Sequence, residues 1–102
     1  MDKSIHRKMI IGQKLRELRE GKGLLLRQVA AELEVDTAYI SKMERGEKNI
    51  KKEYIIQLAK LYDGDENELV AIWLADKIFD VVKDESMALT AMDIAKKHIS
   101  KS

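Results

Sequence analysis

Residues Leu24–Gly46 read LLLRQVAAELEVDTAYISKMERG and contain two short segments in which apolar residues recur every three or four positions. That spacing is typical of a helix with one buried face. The recurring apolar residues are Val29, Ala30 and Leu33 in the first segment and Val35, Ile40 and Met43 in the second. Glu34 stands between the segments, and the Asp36 carboxylate can cap the second helix by accepting backbone N–H groups of its first turn. The stretch therefore predicts two helices joined by a tight turn.

Polar and basic side chains occupy the other face of the second predicted helix. Helical spacing directs five residues away from the apolar face: Thr37, Ala38, Ser41, Lys42 and Arg45. A helix pair whose second member carries such side chains outward is the layout of a DNA-reading helix-turn-helix. The alternative for each residue is plain solvated helix surface.

The segment Tyr39–Gly46, YISKMERG, closely resembles the phage-repressor-like (Xre- and Cro-type) regulators, which commonly read Tyr-Ile-Ser-Lys-Ile-Glu-Arg-Gly there. Matching residues on both sides extend the resemblance over about the first two thirds of the chain: Ile11, Gly12, Leu15, Arg16, Leu18, Arg19, Gly23, Leu58, Ala59 and Leu61. The resemblance implies an all-α fold, a five-helix lambda-repressor-like DNA-binding domain, here with an additional C-terminal helix. The run from Gly46 to Asn49 resembles the controller proteins of restriction-modification systems.

The chain departs from the family pattern at three places. Leu25 and Leu26 replace a Ser or Thr and the Gln that contacts phosphate in the family, so Arg27 or Gln28 is expected to take over that contact. Glu34 replaces the usual turn glycine, so it must either adopt a positive φ or form a different turn. Thr37 stands where controllers often place an arginine, and the operator sequence therefore cannot be borrowed from them.

The side chains on the outer face of the second helix suit particular contacts with DNA bases or phosphates. Lys42 can donate to the O6 and N7 acceptors of guanine, whereas Thr37 and Ser41 can bond to base edges or phosphate. Ala38, or the methyl group of Thr37, can contact the thymine methyl group. Tyr39 is either a phosphate ligand or a packing residue.

Further DNA contacts are expected around this helix. Arg45, Lys48 and Asn49 follow it and suit phosphate, or base edges if the loop bends inward. In the resembled family, residues matching Arg19 and Glu44 form an ion pair that joins the first helix to the recognition helix, and the arginine also reaches phosphate. Both roles are therefore expected for Arg19.

Net charge is divided unevenly along the chain. Up to Tyr62 there are 14 Lys and Arg against 9 Asp and Glu, and from Asp63 onward 5 against 9, so the two parts carry +5 and −4 and give the overall +1. The basic part contains the predicted motif. This asymmetry suits a protein that presents one face to phosphate.

Length and composition exclude several classes of function. A chain of 102 residues is expected to form one helical domain, too short to add a catalytic domain to a DNA-binding unit. There is no Cys for a disulfide or thiolate site, no long apolar run, and neither His6 nor His98 has metal-ligand spacing. We therefore expect no enzyme, no cofactor, no metal site and no membrane partner, and a cytoplasmic, nucleoid-associated protein.

Helix signals outside the motif divide the chain into a helix-turn-helix core at 9–64 and C-terminal helices at 65–102. A first helix from Ile5 or Met9 to Glu20 ends at Gly21 and Gly23, and a fourth spans Lys52 to Leu61 and ends at a left-handed Gly64. Asp65 and Glu68 predict a capping box that opens a fifth helix through Val82. A sixth helix runs from about Ser86 to Ile99.

The fifth helix is more apolar than one small core requires. The residues assigned to a dimer interface are Leu69, Ile72, Trp73, Ile78, Phe79 and Val82. We expect the sixth helix to fold back over part of this surface and a second copy to cover the rest. The sequence thus favours a homodimeric regulator, a repressor or autoregulator, that binds double-stranded DNA with inverted half-sites. The alternative is a protein-interaction module, such as an antitoxin or accessory subunit, with secondary DNA binding.

Overall fold

The computed structural model describes residues 10–101, and within that range the chain forms six α-helices and no strand. The helices are α1 (Ile10–Gly21), α2 (Leu26–Leu33), α3 (Thr37–Glu44), α4 (Lys52–Leu61), α5 (Glu66–Val82) and α6 (Ala88–Ser100). The predicted all-α fold is confirmed, and each predicted helix is present. The proposed helical start between Ile5 and Met9 lies outside the described residues, as does His6.

The five helices from α1 through α5 share one hydrophobic core. Its buried members come from all five helices, from the loop before α4 and from the turn after it: Ile11, Leu15, Val29, Ala30, Leu33, Ile40, Met43, Ile50, Ile55, Leu58, Ala59, Tyr62 and Leu69. These include all the apolar positions from which the two motif helices were predicted, except the half-buried Val35. The helical spacing of the sequence therefore identified the buried face correctly.

The turn between α2 and α3 contains a residue with left-handed backbone, at the position where related proteins usually have glycine. Glu34 adopts φ 57° and ψ 45° at the end of α2, and the Val35 N–H donates to the Ala30 carbonyl at 3.0 Å. Chain reversal here depends on this left-handed residue. The sequence had left open whether Glu34 would adopt a positive φ, and it does.

Two predicted helix caps are wrong in detail. Asp36 has the extended backbone of an N-cap, but its exposed carboxylate accepts no hydrogen bond within residues 10–101. The left-handed residue after α4 is Asp63, with φ 54°, rather than Gly64. Gly64 is confined for a different reason: an added Cβ would lie 3.3 Å from Leu69 Cδ1.

Two carboxylates fix α5 at its beginning and its middle. Asp65 accepts a hydrogen bond from the Glu68 N–H at 3.1 Å, which confirms one half of the predicted capping box. Asp76 is buried and accepts from the Ile10 and Ile11 N–H groups, at 3.1 and 2.8 Å. Since α1 donates these bonds from its first described turn, Asp76 ties α5 to the helix-turn-helix core.

The expectation that the sixth helix folds back over α5 is wrong. No α6 residue is buried against the part of the chain that the structure describes, and several apolar side chains of α5 stay exposed. The Cα radius of gyration is 15.2 Å, against about 12–13 Å for a compact chain of this length. The helix therefore stands away from the core. Among residues 10–101 no helix is both long and apolar enough to span a membrane.

Candidate nucleic-acid interface

Helix α3 presents a polar face to solvent because its apolar face is anchored in the core. Ile40 and Met43 are each 1% exposed, which fixes the rotation of the helix. Thr37, Ala38 and Lys42 are exposed on the opposite side, and Ser41 is half-buried. The predicted base-reading residues are thus brought together on one accessible face.

The backbone of α1 touches the backbone of α3. A Cβ added at Gly12 would lie 2.6 Å from the Met43 carbonyl oxygen and 2.8 Å from that of Glu44. Carbon and oxygen cannot approach so closely without displacement of the backbone. Glycine at this position therefore sets the distance between α1 and the end of α3.

A buried ion pair fixes the same two helices. Arg19 Nε donates to Glu44 Oε2 at 2.7 Å and Nη2 donates to Oε1 at 3.1 Å, while Nη1 donates to the Leu24 carbonyl at 2.9 Å. The hydrogen bonds to Glu44 raise the pKa of Arg19. The predicted ion pair is confirmed. With every guanidinium nitrogen engaged in the fold, any phosphate contact by Arg19 would have to share these donors.

Tyr39 lies on α3 and packs against α4. Its half-buried ring meets Tyr54 edge to face, with the centroids 5.9 Å apart and the planes at 68°. Burial raises the pKa of Tyr39. Of the two roles considered for this residue, packing is the one with a contact in the structure.

Arg45 is held by its neighbours on the exposed surface. Its Nε and Nη2 atoms donate to the two carboxylate oxygens of Glu47 at 2.9 and 3.1 Å, and Nη1 donates to Ser41 Oγ at 2.6 Å. The hydrogen bond from Arg45 lowers the pKa of Glu47, so the carboxylate is ionised at neutral pH. Glu47 was not identified from the sequence. A carboxylate two residues from the arginine, outside any helix, has no spacing rule that would have selected it.

Helix α2 begins with a contact made by Gln28. Gln28 Oε1 accepts a hydrogen bond from the Leu25 N–H at 2.7 Å, and Arg27 beside it is exposed. Leu25 occupies the N-cap position but has no side-chain oxygen to offer. Gln28 therefore satisfies a backbone donor of the helix entry with its carbonyl, and its amide nitrogen remains able to donate.

Lys48 and Asn49 are exposed in the loop that follows α3. Together with Lys42 and Arg45 they give this end of the helix an excess of hydrogen-bond donors. Donors on one exposed surface, on a helix held from behind by buried contacts, are what recognition of phosphate and base edges requires.

Comparison with known proteins agrees with this geometry. A family model described as a helix-turn-helix domain matches residues 10–72. The chain belongs to the helix-turn-helix domain family. Its fold is also similar to the restriction-modification controller protein C.AhdI from Aeromonas hydrophila, with 39% identity and a TM-score of 0.53, over 58% of this chain and 89% of that one. No curated protein matches.

The chain continues for about 30 residues beyond the end of its match to the helix-turn-helix family. The predicted dimerisation residues straddle that boundary and differ in accessibility. Leu69 is completely buried in the chain's own core, so it is unavailable to a partner. Trp73 is half-buried, and its Nε1 donates to the Ile50 carbonyl at 2.6 Å, so the indole is held against the chain's own core.

The remaining four predicted interface residues are more accessible. Ile72 and Val82 are half-buried, whereas Ile78 and Phe79 are exposed, at 49% and 37%. Asp76 lies among them and was not identified from the sequence. Its position was the available signal: Asp76 follows Leu69 by seven residues and Trp73 by three, which places it on the buried face of the helix. A carboxylate buried there must accept hydrogen bonds.

Proposed function

We propose that this regulator binds double-stranded DNA sequence-specifically as a homodimer and acts as a repressor or autoregulator, in the cytoplasm and associated with the nucleoid. The observation that carries the proposal is the α3 surface. Thr37 and Lys42 are exposed there and Ser41 is half-buried, while Ile40, Met43 and the Arg19–Glu44 pair fix the helix behind them. A rigid, outward-facing helix of this kind can enter the major groove.

Base reading is assigned to the first two turns of α3. Lys42 donates to the O6 and N7 atoms of guanine, and the Ser41 hydroxyl, which accepts from Arg45, can donate to a base or phosphate acceptor. Thr37 hydrogen-bonds a base edge or phosphate, and Ala38 contacts a thymine methyl group.

Phosphate binding is assigned to the residues around α3. Arg45, Lys48 and Asn49 lie beyond its end, and Arg27 with the amide nitrogen of Gln28 lies at the start of α2. Arg19 and Tyr39 hold the helices in place, and their additional contact with phosphate is part of the same proposal. Contacts of this kind orient a protein on the duplex without reading its sequence.

Dimerisation is supported by the exposed apolar side chains of α5, including Ile78 and Phe79. A two-fold dimer places its recognition helices one turn of DNA apart, which requires inverted half-sites. A regulatory role near the protein's own gene is supported by the similarity to a protein described as a controller.

The alternative function, a protein-interaction module such as an antitoxin or accessory subunit, is favoured by the exposed apolar residues of α6. Under that alternative the C-terminal helices bind a different protein and DNA binding is secondary. Sedimentation of the purified protein separates the two, because only the regulator proposed here forms a dimer without another component.

The base-reading role is tested by Lys42→Ala. The variant should lose about 1–3 kcal/mol of binding to DNA fragments selected by the unaltered protein, and much less on random DNA. Titration of both DNAs at fixed salt measures the difference. Equal losses on the two DNAs would show that Lys42 contributes only charge.

A further inference from the structure

The outer face of α5 carries a seam of exposed apolar residues. Ala71, Leu74, Ile78 and Val81 are spaced by three, four and three residues, the pattern of a helix that packs along another helix. Val81 is 77% exposed, and Leu74 and Ile78 are about half exposed. This seam lies opposite the face that buries Leu69 in the core, so the chain's own core cannot cover it.

Helix α6 has a complementary face of small residues. Ala88, Ala91 and Ala95 are spaced by three and four residues and lie on one side of the helix. Read in the opposite direction, this spacing matches that of Val81, Ile78 and Leu74. An antiparallel pair would therefore place each large α5 side chain against a small α6 residue, the alternation that lets helices approach closely.

The charges favour the same antiparallel direction. Glu66 and Glu68 lie in the first turn of α5, while Lys96, Lys97 and Lys101 lie at the end of α6. Antiparallel alignment brings these ends together. The opposite alignment would place the lysines near Lys77 in α5 and near Lys83 just beyond its end, where the Asp80 carboxylate is already paired with Lys83.

Within residues 10–101 the chain does not make this pair with itself, since no α6 residue is buried and Leu74, Ile78 and Val81 stay exposed. The segment between α5 and α6 contains turns closed by hydrogen bonds from the Lys83 N–H to the Phe79 carbonyl at 2.8 Å and from the Glu85 N–H to the Val82 carbonyl at 2.9 Å. In this arrangement α6 leaves the α5 seam uncovered. A second copy of the chain can supply an identical α6.

We propose that the two protomers exchange α6, so that the α6 helix of each packs antiparallel on the α5 seam of the other. The inference rests on the dimer proposed above and names the contact that forms it. The area that a stable interface needs also supports the exchange, because a stable protein–protein interface buries about 800 Å² on each partner. The few residues of the α5 seam are too small a surface, whereas α6 adds exposed residues such as Ile94 and Ile99.

Disulfide cross-linking tests the exchange, since the chain has no Cys of its own. Ile78→Cys and Ala91→Cys are expected to face each other across the pair. The double variant, oxidised mildly and run without reductant, should migrate at twice the mass of one chain. The matched control combines Ile78→Cys with Asp93→Cys, on the polar side of α6, and should remain unlinked.

A mixture of the two single variants, one of them carrying a tag, identifies the partners. Exchange predicts a cross-link mainly between Ile78→Cys and Ala91→Cys chains. A double variant that migrates as one chain would show that α6 folds onto its own α5, and links between two Ile78→Cys chains would show that α5 packs on α5. Either result overturns the exchange while leaving the dimer intact. Sedimentation of the unaltered protein as a monomer at tens of micromolar would overturn the dimer and the exchange together.

Discussion

On the proposed DNA-binding surface, the Glu47 carboxylate and a DNA phosphate would compete for Arg45. In the free protein it binds Glu47 through two hydrogen bonds and Ser41 through a third. A phosphate that takes over Arg45 must displace the Glu47 carboxylate, which also repels the duplex. If Arg45 binds phosphate as proposed, we expect Glu47 to limit affinity for DNA without contributing to base reading.

Replacing Glu47 by Gln removes this competition. We expect affinity for specific and random DNA to rise alike, by about 2- to 5-fold, because an exposed ion pair is weak and Arg45 gives it up at little cost. Titrations at several salt concentrations measure the change, with Glu66→Gln at the start of α5 as a control of equal charge. Arg45→Ala should have the opposite effect and reduce the salt slope by about one unit. An affinity unchanged by Glu47→Gln would show that Arg45 is not a phosphate ligand.

Glu34 is the other residue with a conflict between its type and its position. A left-handed backbone costs a non-glycine residue about 1–2 kcal/mol, and glycine avoids that cost but loses more chain entropy on folding. We therefore expect Glu34→Gly to raise the free energy of unfolding by roughly 0.5–1 kcal/mol, measured by urea denaturation. Asp63→Gly relieves a similar φ but breaks the Lys22–Asp63 ion pair, so its gain should be smaller. A destabilised Glu34→Gly variant would contradict the presence of strain at this turn.

At the scale of the helices, the crossing of α1 and α3 controls where the recognition surface lies. Gly12→Ala should destabilise the fold by about 1–3 kcal/mol, since the new methyl group would meet two backbone oxygens of α3. Specific DNA binding should weaken further because α3 must shift. The matched control is Gly21→Ala, where an added Cβ meets nothing within 4 Å. Equal unfolding free energies for the two variants would mean that the close approach is unimportant.

Helical spacing explains why most of the fold could be predicted from the sequence. Apolar residues three and four apart located α2 and α3, and the Asp65 cap located the start of α5, because both signals act within a few residues along the chain. The Arg19–Glu44 pair was also foreseen, but only through the resemblance to repressor-like regulators. These features account for the position of the recognition surface.

Contacts between distant segments account for what could not be predicted. Asp76 binds α1 across 65 residues, and the close approach of Gly12 to α3 depends on how two helices cross. The position of α6 was predicted wrongly. An apolar surface on α5 indicates that something covers it, but the pattern does not say whether the same chain or another one does so. The roles of the outward residues on DNA remain predictions.

At the scale of the whole molecule, the two parts of the chain differ both in charge and in the kind of surface they expose. The part up to Tyr62 carries +5 and holds the proposed recognition surface, whereas the remainder carries −4 and holds most of the exposed large apolar residues. Acidic surface repels DNA, which leaves those residues to another protein surface. In the proposed dimer, a second copy of the chain supplies a second recognition helix, and we expect dimerisation to govern affinity.

Selection of DNA from a random pool by the purified protein tests this account most directly. Sequencing of the bound fragments should give one enriched motif composed of two inverted half-sites, about ten base pairs apart from centre to centre. Enrichment of an isolated half-site, or of no sequence at all, would contradict sequence-specific binding by a two-fold dimer.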